Sequence, residues 1–298
     1  MTDVGTERTT RRHSGSGMLF KARPVKVDSQ FLLLVPTSVP LMLLAIGVIS
    51  LVVGSFTSNN ELSFAQYQAV LARKDYIETL YRTIWLAGLT TSISLLISYP
   101  TAYWIARYPG RRDIFLIILM MPWLVSVVVR TYGWIVILGK KGVISQALMS
   151  SGLIAGPLEI LFSPTAIVIG LVHVFSPFMI LAIVTVLIRL DKSLEEAAAS
   201  LGAGPFETFR RVLLPLSFPG IVTGSIIVFL MSMGSVVTPL LLGSMRDKML
   251  GAQIYQDVFQ LFNFPKAAAL AMILCVAALA VVLPLQLLEA RAKKSAAS

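Results

Sequence analysis

The chain has 298 residues, of which 56% are hydrophobic and only 13% charged, with 25 basic against 15 acidic side chains. Soluble domains carry about 25% charged residues. A water-soluble globule is therefore excluded, and the net charge of +10 is read by its distribution along membrane segments, not as a nucleic-acid footprint. A single cysteine, Cys275, excludes an intrachain disulfide framework and a cysteine metal site.

Residues 1–28 are polar, basic and rich in Thr, Ser and Gly, the composition of a disordered tail. The apolar run 31–56 behind it is too long for the core of a signal peptide and is read as an uncleaved first span containing Pro36 and Pro40. A polar loop from Thr57 to Glu78 is expected to lay a surface helix, 66–77, on the outer face. Further spans are expected at 80–106, 114–138, 165–188, 215–242 and 266–288, within a membrane domain of 29–290. Short helices are expected at 143–149 and 252–262, and a basic tail, 291–298, ends the chain. The expected class is an all-α integral membrane protein with about six transmembrane helices. With the N-terminus inside, sixteen basic residues fall on the inner side and eight on the outer, leaving Arg130 in the membrane. The positive-inside rule then puts both termini, and the loop 190–216, in the cytoplasm.

That loop is the longest polar interruption between two apolar segments. Ser193 and Glu196 have the spacing of a capping box, and Ala197, Ala198 and Ala199 are strong helix formers. Gly202, followed by Ala203, supplies a left-handed stop or hinge, and Pro205 opens a second helical piece. Pro215 and Pro219 mark the return to the membrane. Phe206 and Phe209, three apart, either project into a partner's groove or pack beneath the spans. Arg210 and Arg211 meet lipid headgroups or that partner.

Glu196-Ala197-Ala198, Gly202, Val212 and Leu214-Pro215 stand at the spacing of the EAA motif of ATP-binding-cassette importer permeases, with Val where the family usually has Ile. The chain resembles that family. Tyr99-Pro100-Thr-Ala-Tyr103, Met121-Pro122-Trp123, Val129-Arg130-Thr-Tyr-Gly-Trp134, Ser176-Pro177-Phe178-Met179 and Val237-Thr238-Pro239-Leu-Leu-Leu-Gly243 resemble its spermidine/putrescine branch, from about Thr79 to the end. The resemblance implies a type I importer fold and a bacterial inner-membrane location. It also implies two ATPase subunits that bind ATP and Mg, a second, related permease and a periplasmic binding protein. On this reading Glu195, Glu196, Ala197, Ala198, Gly202, Ala203, Phe206, Phe209 and Pro215 form the ATPase-coupling segment. The implied solute is a polyamine such as putrescine or spermidine. Related permeases move opines, amino-acid derivatives, phosphonates or iron complexes, and those remain alternatives.

No phosphate loop, HExxH, CxxC pair or GxSxG occurs, so the chain is expected to bind no cofactor or metal and to catalyse no covalent chemistry. Arg130 lies 16 residues past Ile114, roughly 24 Å along a straight helix. It either snorkels to the outer interface or lines the path or an outer gate. His173 is an interior hydrogen-bonded histidine or a solute ligand. Tyr99, Tyr103, Trp104, Trp123, Tyr132, Trp134 and Phe178 are cation–π candidates or belt residues, and Thr238 is a further path candidate. Pro100, Pro122, Pro177 and Pro239 can kink spans. No Asp or Glu falls within the spans as drawn, which counts against an ion-coupled secondary transporter.

Overall fold

The structure, a computed structural model, describes residues 27–58, 61–108 and 110–297. The tail expected at 1–28 lies almost wholly outside them. Contacts divide the chain into Met1–Ile49 and Ser50–Ser298. Helix α1 (Val27–Ser55) runs unbroken through Pro36 and Pro40, and its Ser38–Ser55 portion has a mean hydropathy of 2.2, enough for a membrane span.

In the second unit a two-residue antiparallel ladder, β1 (Thr57–Ser58) and β2 (Glu61–Leu62), precedes α2 (Ala65–Leu71) and α3 (Lys74–Arg107). The single surface helix expected at 66–77 is thus split, because α3 starts at Lys74. At 34 residues, α3 is roughly 51 Å long, well beyond the ~30 Å hydrocarbon core. The early start puts Asp75 and Glu78 on the part of α3 that precedes the expected span 80–106.

Helices α3, α7 (Pro164–Leu187) and α10 (Leu214–Met233) pack on one another and hold the main core, including Leu86, Leu171, Met179 and Ile183. On α3, besides Leu86, the fully buried residues are small: Thr83, Ala87, Thr90, Ser94, Ser98 and Ala102 recur every three or four positions. That spacing makes one face. Small side chains there let backbones approach closely, the usual contact in a medium where apolar burial gives no preference for helix over lipid. Ser98 confirms the approach by donating to the Ser176 carbonyl at 3.3 Å. Helix α7 starts where Ser163 accepts from the Ala166 N–H and Pro164 takes the first helical position. Where α10 crosses α7 the small residues are glycines. A Cβ on Gly220 would stand 2.9 Å from the Ala182 carbonyl oxygen, and one on Gly224 2.7 Å from the Met179 sulfur.

The third span departs from expectation. In place of a straight helix 114–138 there are α4 (Arg112–Leu124) and α5 (Val127–Leu138), and the two halves, Arg112–Leu124 and Val127–Ser150, meet at 88°. Pro122 has no N–H to return to the carbonyl of the preceding turn. Beyond it Val125 and Ser126 turn extended, with ψ of 138° and 135°. Among the described residues five helices are long and apolar enough to cross a membrane, or six if the bent pair counts as one span. Arg130 sits in the first turn of α5, just past the bend, so the ~24 Å depth expected for a straight helix does not apply.

Helix α6 (Val143–Ser150) matches the short helix expected at 143–149. The fifth span also differs from 215–242. It starts at Pro205, ends at Met233, and is followed by a separate short helix, α11 (Val237–Leu242). Helix α12 (Leu250–Phe259) is tied to α3 by the Leu250 N–H, which donates to Thr83 Oγ1 at 2.8 Å. Helix α13 (Phe264–Ala297) carries the last span and continues through the segment read as a C-terminal tail.

Candidate functional site

The stretch 190–216 folds as an elbow. Helix α8 (Ser193–Ser200) is followed by a turn and then by α9 (Pro205–Thr208). The expected capping box does not form: Ser193 is already the first helical residue, and no side chain caps from Lys192. Asp191 caps instead, its Oδ1 accepting from the Ser193 N–H at 2.9 Å. An Asx turn of this kind fits the short Asp side chain two residues ahead of a helix, and the residue was visible in the sequence. Hydrogen bonding from the Ser193 N–H holds the Asp191 carboxyl below its ordinary value. A depressed carboxylate stabilises above its unfolded-state pKa, and that stabilisation is lost as pH falls through its folded value. The protection of the Ser193 amide, its exchange rate relative to the intrinsic rate at the same pH, should therefore fall on acidification below the usual carboxylate range. Asp191→Ala should show weak protection throughout, with that acid dependence gone.

The stop at Gly202 is as expected. Its φ is +85°, its N–H donates to the Ala199 carbonyl at 3.0 Å, and the Ala203 N–H donates to the Ala198 carbonyl at 3.0 Å. These two bonds make a Schellman motif, with Gly202 in the left-handed position. Pro205 opens α9 behind Gly204. The second piece then runs without interruption through a π-helical turn, Phe209–Leu213, into α10, so it is one helix with the fifth span and not a separate piece. The widened turn has a cause. The Leu214 N–H reaches the Phe209 carbonyl, five residues back, just before Pro215, whose ring would clash with a carbonyl at the normal α position.

The side chains of the elbow divide into two sets. Glu196, Leu201 and Phe206 are exposed, Leu201 at 89% and Phe206 at 74%. Glu195 and Phe209 turn inward. The Tyr103 hydroxyl donates to Glu195 Oε2 at 2.7 Å, and Arg107 forms an ion pair with Oε1 of the same carboxylate. Arg107 also donates to the Leu190 carbonyl at 3.0 Å. One turn away, the Tyr99 ring meets Phe209 edge-on at 5.2 Å, and its hydroxyl shares a hydrogen bond of 2.9 Å with Ser217. The choice left open for the two phenylalanines therefore splits: Phe206 projects and Phe209 packs under the spans. Tyr99 and Tyr103, expected as cation–π candidates, are committed to the elbow. Leu201 and Arg107 were not singled out from sequence. An apolar residue before a helix-stopping glycine was the available signal for Leu201, whereas Arg107 reads as ordinary inner-face charge.

The candidate path residues form pairs, not one chamber. Trp134 donates from Nε1 to His173 Nδ1 at 3.3 Å, with their rings 5.5 Å apart. Trp123 and Phe178 meet edge-on at 5.5 Å. Tyr132 is exposed and Arg130 half-buried. Thr238 is 2% exposed, and a Cβ on Gly170 would come within 2.7 Å of its methyl, which makes it a packing residue between α7 and α11 in this conformation. Trp104 stacks on Tyr108 and meets Phe115, near the C-terminal end of α3. At the other end of α3, Glu78, Tyr81, Arg82 and Trp85 line a cleft of about 800 Å³ against the start of α7, which the sequence reading missed because no local pattern brings these two helices together.

The profile of the binding-protein-dependent transport system inner membrane component family matches residues 17–292. The chain belongs to this family. The permease is 35% identical over 195 residues to the spermidine/putrescine transport system permease protein PotB of Haemophilus influenzae, covering 65% of this chain and 68% of that one. It is 33% identical over 222 residues to PotB of Salmonella typhimurium, covering 72% and 77%. The crystal structure of a bacterial ABC transporter involved in the import of the acidic polysaccharide alginate contains a chain with the same fold, at a TM-score of 0.72 and 19% identity, covering 88% of the permease and 95% of that chain. The permease is thus a multi-pass inner-membrane component of an ABC importer, a transport subunit and not an enzyme.

Proposed function

We propose that the permease forms half of the path of an ATP-driven importer for a polyamine such as putrescine or spermidine. In this reading both termini and the elbow are cytoplasmic, and a periplasmic binding protein delivers the solute. Two ATPase subunits bind ATP and Mg and press on α8 and α9, and a related permease supplies the second elbow. The spans then change between inward- and outward-facing arrangements as packed bodies. The observation that carries this is the elbow itself, which offers Glu196, Leu201 and Phe206 outward while Glu195 and Phe209 grip the bundle. Two large apolar side chains, Leu201 and Phe206, left exposed beside a largely shielded Arg107–Glu195 ion pair, support a partner surface there.

The polyamine rests on the relatives named PotB, and the cleft supports it. Glu78 stands there with two exposed rings, Tyr81 and Trp85, a carboxylate and π faces suited to an ammonium. Arg82 donates to the Arg246 carbonyl. The test is uptake of radiolabelled putrescine and spermidine by proteoliposomes holding the whole transporter and its binding protein. ATP-dependent uptake of either, competed by the other, is the expected result, and no uptake of either with an active ATPase would overturn the substrate assignment. Glu78→Gln should raise the half-saturating putrescine concentration about tenfold, the loss of one charge-assisted contact, and an unchanged value would remove Glu78 from the path.

A further inference from the structure

The elbow is joined in sequence to α7 and α10, which makes those helices the evident recipients of its motion. The side-chain contacts lead elsewhere. Tyr99, Tyr103 and Arg107 stand at i, i+4 and i+8 on α3, one stripe down a single face. Every member touches the elbow or its immediate flanks: Tyr99 reaches Phe209 and Ser217, Tyr103 reaches Glu195, and Arg107 reaches Glu195 and Leu190. The central ion pair is largely shielded, with Arg107 and Glu195 exposed by 15% and 21%. A shielded pair with added hydrogen bonds resists separation far more than an exposed one, because pulling it apart leaves a charge without a partner. The Arg107 guanidinium also lies over the Tyr103 ring at 5.9 Å, so the two α3 side chains brace each other.

We infer that α3 is a direct receiver of elbow motion, clamped to it by the Tyr99–Tyr103–Arg107 stripe with Glu195 as the central pin. The inference rests on the coupling role proposed above. Tyr103, Arg107 and Glu195 are positioning residues in this scheme: they touch no solute or nucleotide, and they keep the elbow and α3 in register. The neighbouring carboxylates then have different tasks, Glu195 facing the bundle and Glu196 facing outward. Because α3 continues unbroken through Pro100 to the cleft at Glu78, a push at Glu195 is carried along one continuous helix to its other end.

The experiment places nitroxide labels at Ile97→Cys on α3 and Leu201→Cys on the elbow, in a Cys275→Ser background of the complete transporter with its ATPases in nanodiscs. The inter-label distance is measured with and without ATP and magnesium. The clamp predicts that the distance changes by no more than about 1–2 Å when ATP binds, the scale of local helix adjustment. In Arg107→Gln or Glu195→Gln the ATP-bound distribution should broaden or move beyond that. The charge swap Arg107→Glu with Glu195→Arg should recover a narrow distribution, which a merely structural loss would not. Tyr103→Phe, which removes one hydroxyl, should broaden it detectably and keeps the test open if a charge variant fails to assemble. An ATP-driven shift of several ångströms in the unaltered clamp, or distributions that none of the variants moves, would overturn the inference. A complex that hydrolyses no ATP, or from which the ATPases are absent, would instead defeat the coupling role itself, and the inference with it.

Discussion

Gly202→Val is expected to leave insertion nearly intact while cutting ATP-driven uptake at least tenfold. The residue sits at φ +85°, and a Cβ there would meet nothing within 4 Å. Space is therefore not at issue, and the whole effect is conformational. A left-handed backbone costs an ordinary L-residue about 1–2 kcal/mol, and a β-branched one is least tolerant of positive φ. The elbow can relieve that strain only by giving up the two bonds from Gly202 and Ala203 to Ala199 and Ala198. Once they are lost, α8 no longer meets α9 at a fixed angle, and pressure on α8 bends the turn instead of moving the spans. The series Gly, Asn, Ala, Val should rank uptake in that order, since Asn tolerates the left-handed region better than other side chains. ATP hydrolysis should persist in Gly202→Val, so the ratio of solute moved to ATP consumed is the quantity to measure. Full uptake by that variant would mean that the turn is a passive connector.

Gly220→Val is expected to act on folding instead, and to be the most destabilising single change considered. Its added atoms would press on the Ala182 carbonyl oxygen and on the Val186 methyl, both 2.9 Å from the ideal Cβ position, and the Ile183 Cα is 3.2 Å away. Two of these three neighbours are backbone, which cannot rotate aside. Overpacking of this kind costs typically about 1–3 kcal/mol, and here it falls between α7 and α10, at the main core. Membrane levels should drop severalfold and the unfolding temperature in detergent should fall. Gly224→Ala, whose closest neighbour is the flexible Met179 side chain at 2.7 Å, should be distinctly milder. Unchanged membrane levels and unfolding temperature in Gly220→Val would show that the helices separate easily and that close approach is not what this glycine provides.

Much of this was legible in the sequence, and the reason differs by residue. Gly202 and Pro205 were readable because each satisfies a local backbone requirement that few residues meet. The EAA spacing was readable because it lies in the one long polar interruption. The bend after Pro122 was not readable, because Pro100, Pro177 and Pro219 lie inside helices without ending them. What distinguishes the site is the extended Val125–Ser126 pair beyond it, which only tertiary packing selects. The limits of α3 were misread at its polar start, since hydropathy marks the part of a helix in lipid and says little about the part beyond it. The partners of Tyr99, Tyr103 and Arg107 lie about 80 to 120 residues away in sequence, as with Ser217 and Glu195, and no local pattern records them.

The central claim is that the outward face of the elbow is where an ATPase subunit presses. Leu201→Cys, in a Cys275→Ser background and in membranes containing the whole transporter, tests it by disulfide cross-linking to single cysteines placed along the cognate ATPase surface. The account predicts a cross-link to one ATPase groove whose yield changes when ATP is added. Absence of any cross-link, together with labelling of the Leu201→Cys thiol by an impermeant maleimide added to the periplasmic side of intact cells, would contradict it.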